Sequence, residues 1–283
     1  MSLVNMKQML TQARAQQYAV GAFNIIDYLS MKAVVAAATE LAAPVIVQTS
    51  VKTVKFWGAR TLISWMRELA DTPVPVAIHL DHCKDLNILQ ECIEAGWTSV
   101  MIDASSRPFA ENLALTRQVL EIAHPRNVSV EAELGEIGGV EEEIIVAEAE
   151  AHLADPEKAA RFCRALPLDC FAPAIGTAHG IYKGEPRIAF DRLAEIARRT
   201  PVPLALHGGT GLSDEIFRRC IGLGCAKVNI STQLKHTFID EFITYHQAKP
   251  TEYEPVKLLA VQFEQLKNQV KEKIGLFGST GKA

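Results

Sequence analysis

Eight short β-rich runs recur along this chain, and helical stretches separate most of them. The runs are YAVGAFN, PVIVQTS, VPVAIHL, SVMID, VSVEAEL, CFAPAI, VPLALHG and AKVNI. Runs that are apolar on both faces belong to parallel strands buried under helices. The intervening segments, such as DLNILQECIEAG, PEKAARFCRAL and FDRLAEIARRT, carry amphipathic helical patterns. Eight strand–helix units predict an α/β fold of the TIM (β/α)₈ barrel type, for which about 250 residues is typical. The chain has 283 residues. An open doubly wound sheet is the competing arrangement, but no GxGxxG opens the first helix. No linker or low-complexity tract interrupts the pattern, so one domain is expected over 1–283. The barrel should occupy about 18–247 and a helical extension about 250–283, by the usual barrel size. The helices expected near STQLKHTFIDEFITYHQ and EPVKLLAVQFEQLKNQVKEKI would cap the barrel or pack on a partner subunit.

Composition excludes several classes of function. A net charge of −4 provides no basic surface for nucleic acid. No apolar run reaches the roughly 18 residues of a membrane span, and the opening MSLVNMKQMLTQARAQQ is polar, unlike a secretory signal. Six cysteines are scattered without a CxxC pair, which reads as buried free thiols in a reducing, cytoplasmic setting. Cys83, beside His82, is the one expected near the chemistry.

In barrels of this kind the reacting groups stand at the C-terminal ends of the strands. The expected strand ends carry Asn24, Ser50, Asp81 with His82, Asp103, and Glu131 with Glu133. His179 follows strand six, His207 ends strand seven and Asn229 ends strand eight. Three imidazoles suit Zn²⁺, and a catalytic zinc keeps three protein ligands and one open position. Glycines directly after two of the histidines, in AIGTAHGIYKGEP and HGGTG, let backbone N–H groups approach an anion. Thr210, Ser231 and Thr232 add hydroxyls beside helix starts, so the set reads as a phosphate cradle. Metal, phosphate site and carboxylates together suit proton removal next to a carbonyl, with the metal countering the charge of the enediolate. The stretch LGEIGGVEEEIIVAEAEAHLADPE could be a lid that brings Glu141 or Glu142 to the substrate. On spacing alone this acidic run reads more readily as a solvated face.

These segments resemble the class II, zinc-dependent fructose-bisphosphate aldolases, including their tagatose-bisphosphate relatives. YAVGAFN, VPVAIHLDH, SVMIDASSRPFAEN, SVEAELGEIGG, AIGTAHGIYKGEP, PLALHGGTG and KVNIST carry the likeness. It implies reversible cleavage of a ketose bisphosphate into dihydroxyacetone phosphate and an aldehyde. It further implies zinc on His82, His179 and His207, with Asp81 as proton donor and acceptor at the aldehyde oxygen. Gly180, Gly208, Gly209, Thr210, Asn229, Ile230, Ser231 and Thr232 would bind dihydroxyacetone phosphate, assisted by Lys183. Asp103 and Glu133 would hold a second or displaced divalent metal, and Glu141 stands where the family's lid glutamate takes the proton. A homodimer or homotetramer is implied, and an activating monovalent cation, Na⁺ or K⁺, is left open.

Ser106 and Ser231 depart from the fructose-specific pattern, as does QTSVKTVKFWGAR. Fructose 1,6-bisphosphate is the default sugar. Tagatose 1,6-bisphosphate and 6-phospho-5-dehydro-2-deoxy-gluconate are the alternatives. A Schiff-base aldolase would need a lysine at a strand end, and Lys227 is expected to start its strand. A non-catalytic binding or assembly barrel is the alternative outside enzymology.

Overall fold

The computed structural model describes residues 3–141, 144–146, 152–180, 182 and 184–283. All eight expected runs form strands within them. Helix α1 (Met6–Ala15) comes first, followed by β1 (Val20–Asn24), α2 (Tyr28–Glu40), β2 (Val45–Thr49), α3 (Val51–Trp57) and α4 (Ala59–Leu69). Next come β3 (Val76–Cys83), α5 (Leu86–Ala95), β4 (Ser99–Ile102) and α6 (Phe109–Ala123). After β5 (Ser129–Leu134) the chain makes an excursion through β6 (Gly138–Glu141) and β7 (Ile144–Val146) before α7 (Pro156–Ala165). Strand β8 (Cys170–Pro173), a two-residue β9 (Ala178–His179) and α8 (Phe190–Arg199) follow. The last elements are β10 (Leu204–Leu206), α9 (Asp214–Gly222), β11 (Cys225–Ile230), α10 (Thr232–Ala248) and α11 (Pro255–Leu276). The order β1-β11-β10-β8-β5-β4-β3-β2 closes a parallel barrel, with β2 hydrogen-bonded back to β1.

Local chemistry sets the helix starts. Asp27 and Ser30 form a reciprocal capping box on α2, and the side chains of Asp85, Asp155 and Ser213 cap α5, α7 and α9. Each satisfies a backbone donor that the first helical turn leaves unpaired.

The strand period of two sorts side chains inward and outward. Outward residues such as Phe23, Ile78, Val130, Phe171 and Leu206 pack in the main apolar layer under the helices. Inward residues form a stratified column. At its floor, Val20, Ala22, Ile46, Ala77, Cys170, Ala172, Ala205 and Ala226 make a small apolar cluster with Met6, Met9, Leu10 and Ala13 of α1. Alanine leaves room that the bulkier side chains of α1 fill. Burial of Met6 and Leu10, both fully inaccessible, contributes roughly 1.5–3 kcal/mol each. Arg14 anchors the same helix by donating to the carbonyls of Ala197, Thr200 and Val202.

Closure of the barrel floor therefore falls to α1. Helix α11 packs along α2 and α10 on the barrel's flank, while Ile239, Phe242 and Ile243 of α10 are exposed. Among the described residues, no helix is long and apolar enough to cross a membrane.

Candidate active site

The upper half of the barrel interior is polar. Alternation along β3 turns Ala77, His79 and Asp81 inward, so His82 would be expected to face out toward the helices. A bulge reverses that. Leu80 pairs with Val100 but Cys83 pairs with Ile102, so β3 advances three residues while β4 advances two. His82 takes the left-handed conformation, φ +46°, which is uncommon for a residue with a side chain. The extra residue brings Asp81 and His82, neighbours in the chain, to the same mouth.

There His82 meets His179 of β9 and His207, which follows β10. One nitrogen from each imidazole lies within 4.8 Å of the other two, and all three residues are buried. Ring centroids of His82 stand 4.9 Å from His179 and 4.7 Å from His207. Carboxylates hold the opposite edges of two rings. His82 Nδ1 donates to Asp103 Oδ2 at 3.1 Å, and His207 Nε2 donates to Glu131 Oε1 at 2.7 Å. Such carboxylate partners fix ring orientation and tautomer in metal-binding histidines. Glu133 Oε2 lies 3.5 Å from His207 Nδ1 and 3.9 Å from His82 Nδ1. This donor set fits a divalent ion of the zinc type, with borderline-soft nitrogen ligands and second partners already in place.

Asp81 accepts amide protons from Asn24 Nδ2 at 3.0 Å, Gln48 Nε2 at 3.2 Å and Asn229 Nδ2 at 3.2 Å. Burial would raise its carboxyl, but His82, Lys227 and His207 outweigh that and hold it at about 2. Glu133 moves the other way, raised by burial and by the neighbouring Asp103. His207 is raised because Glu131 and Glu133 overcome the effect of burial, whereas burial and Lys227 push His79 down to about 3.

Gly208 has φ +66°, and a Cβ there would stand 2.5 Å from the carbonyl oxygen of Ala178. Gly209 is as tight, since a Cβ at that position would fall 2.8 Å from the Asn229 carbonyl oxygen. Thr210 Oγ1 accepts from the backbone of Gln233 at 3.4 Å, joining this loop to the start of α10. Ser231 precedes α10 without capping it, and its buried Oγ has no hydrogen-bond partner among the described residues. Gly180 follows His179 and Thr232 opens α10, so both border this region. The side chain of Ile230 is packed in the apolar layer, which leaves only its backbone for a ligand.

Ser50 sits at the barrel mouth and also caps α3, accepting from the Thr53 backbone at 3.2 Å. Two expectations change. The Cys83 thiol turns away to the Asp85 carbonyl, and burial raises it to about 11. All six cysteines are free and buried. Lys227 lies in mid-strand, pointing inward, rather than at the start of β11. The side chain of Glu141, together with Glu142 and Lys183, lies outside the described residues. Within the acidic stretch β6 pairs antiparallel with β7, and Gly138 and Gly139 pair in parallel with Ala178 and His179.

Other members of the site gave no signal in the sequence. Tyr182 accepts from the Ala178 backbone and donates to the Gly208 carbonyl at 2.8 Å, stapling the two glycine-bearing loops. Lys227 and His79 are inward residues between apolar neighbours, and Gln48 is an inward residue between Val47 and Thr49. Only the strand period, applied residue by residue, would have exposed them.

Residues 4–282 match the protein family described as fructose-bisphosphate aldolase class-II. The chain is 42% identical to a fructose-bisphosphate aldolase of Geobacillus stearothermophilus, covering 100% of this chain and 99% of that one. It is 39% identical to the D-tagatose-1,6-bisphosphate aldolase subunit GatY of Klebsiella oxytoca, over 99% of each chain. The crystal structure of the YdjI aldolase from Escherichia coli K12 superposes with a TM-score of 0.88 at 32% identity, covering 99% of each chain.

Proposed function

The chain belongs to the class II fructose-bisphosphate aldolase family of carbon–carbon lyases, and we propose that it cleaves fructose 1,6-bisphosphate with a zinc ion on His82, His179 and His207. The products would be dihydroxyacetone phosphate and glyceraldehyde 3-phosphate. One observation carries the reading: three imidazoles converge within 4.8 Å beside a buried aspartate at the barrel mouth.

When bound, a divalent ion supplies Lewis acidity toward the ketose carbonyl oxygen. The chain's own residues supply the rest. Asp81, held in place by three amides, accepts the proton from the substrate hydroxyl as the carbon–carbon bond breaks and returns it in the reverse direction. Gly208, Gly209, Thr210, Ser231 and the start of α10 orient the phosphate of the triose half. Glu141 serves as the second proton carrier, a role supported by its place at the end of β6, the strand hydrogen-bonded to the His179 segment. Asp103 and Glu133 orient the imidazoles and can take a second or displaced divalent ion.

A tagatose substrate is the second reading, supported by the likeness over 99% of the chain to the D-tagatose-1,6-bisphosphate aldolase subunit GatY. Steady-state kcat/KM on the two epimers and on 6-phospho-5-dehydro-2-deoxy-gluconate decides among them. Failure on all three, with metal bound, overturns the assignment. The exposed apolar residues of α10 support a homodimer or homotetramer, which analytical ultracentrifugation tests.

A further inference from the structure

Lys227 is fully buried in the barrel, and no proton, metal or phosphate step of the cleavage uses it. Its Nζ lies 2.7 Å from Asn229 Oδ1, 3.0 Å from Glu131 Oε2 and 3.4 Å from Glu131 Oε1. An ammonium only donates. The amide atom of Asn229 that faces it must therefore be the oxygen, which leaves the NH₂ group turned toward Asp81 Oδ1, 3.2 Å away. A carboxylate paired with an ammonium only accepts. His207 Nε2, 2.7 Å from Glu131 Oε1, must then carry the proton, so the lone pair of the ring sits on Nδ1.

The surroundings leave few alternatives. His79 Nε2 is 3.6 Å from Glu131 Oε2, while His79 Nδ1 is bound to Ser99 Oγ at 2.7 Å. Removing the ammonium would leave Glu131 buried without its counter-charge, a state that low-dielectric interiors penalise strongly. It would also take away the donor that holds the Asn229 carbonyl at 2.7 Å, leaving that amide fixed only by its longer contact to Asp81.

We propose that Lys227 is a positioning residue that sets both halves of the site at once: the tautomer of His207 through Glu131, and the amide orientation of Asn229 beside Asp81. The inference rests on the aldolase reading, because it assigns His207 to the metal and Asp81 to the proton. It differs from a purely structural ion pair in reaching two groups of different chemical function.

The test compares Lys227→Met with wild type and with Lys273→Met, a control that removes another buried lysine, on α11. In Lys227→Met the zinc affinity, measured by chelator competition, should fall roughly ten- to hundredfold, as for other partners of metal-binding histidines. In zinc-free protein the ¹⁵N shifts of His207 should report Nε2–H in wild type and a mixture or Nδ1–H in the variant. At saturating zinc, kcat should stay roughly tenfold or more below wild type, because the Asn229–Asp81 arm is not restored by metal. Lys273→Met should leave all three readouts at wild-type values. If Lys227→Met does not accumulate, Lys227→Gln, uncharged but polar, provides the same readouts. Wild-type zinc affinity with an unchanged His207 tautomer in either variant overturns the proposal. A wild-type enzyme that binds zinc yet cleaves no ketose bisphosphate overturns the aldolase reading instead, and the zinc and tautomer measurements still decide the role of Lys227.

Discussion

At the floor of the barrel the inward positions are mostly alanine, and one helix seals them from below. At the mouth the same strands present Asn24, Gln48, Asp81, Glu131, Glu133, Lys227 and Asn229, nearly all joined by directional hydrogen bonds. The floor gains its free energy from apolar transfer, which depends on area and is indifferent to angle. The mouth depends on donors meeting acceptors, and a buried polar atom left unmatched costs about 1–3 kcal/mol. A substitution at the floor should therefore loosen the fold and spare the chemistry, whereas one at the mouth should strike the chemistry and cost stability as well.

The sharpest break is expected from His207→Ala. Two imidazoles hold a metal poorly, and the loss of Lewis acidity should lower cleavage by roughly ten-thousandfold, with zinc content falling in parallel. Stoichiometric zinc with wild-type turnover in this variant would remove His207 from the site. Asp81→Ala comes next. Zinc should remain, while kcat drops by roughly a hundred- to ten-thousandfold through loss of the proton carrier. Metal analysis and steady-state kinetics on one preparation separate the two.

At the floor, Leu10→Ala should cost about 2–5 kcal/mol in denaturant unfolding, with kcat/KM below the transition within about twofold of wild type. A large kinetic defect in that variant would show that the two ends are not independent. Cys83→Ala should do least. Its thiol faces away from the mouth, so stability should change by ~1 kcal/mol or less and activity should hold.

The contrast also explains what could be read from the residues. Strands were legible because apolar β-rich runs such as VPVAIHL announce themselves over five or six positions. The three histidines were legible because each stands beside a glycine or an acid just past such a run. The bulge at His82 was not, since nothing in HLDHC marks which residue breaks the two-residue period; the break arises from pairing with β4. The partnership of Lys227 with Glu131 joins residues 96 positions apart, and nothing in SVEAELGEIGG or KVNIST marks one as the partner of the other. The role of α1 was hidden for a related reason. The opening segment reads as polar, and the alanines it complements are spread over five strands. In the acidic stretch, isoleucine and valine at 144–146 form a short strand paired with β6, which counting charges did not anticipate.

The hydrogen bonds between Gly138–Gly139 and Ala178–His179 tie together two segments that lie far apart in the chain. Strand β6, which ends in Glu141, shares its backbone ladder with the segment carrying His179. A displacement of β6 would either carry the backbone of His179 with it or break the ladder. The places of Glu141 and His179 are thus set by one main-chain framework.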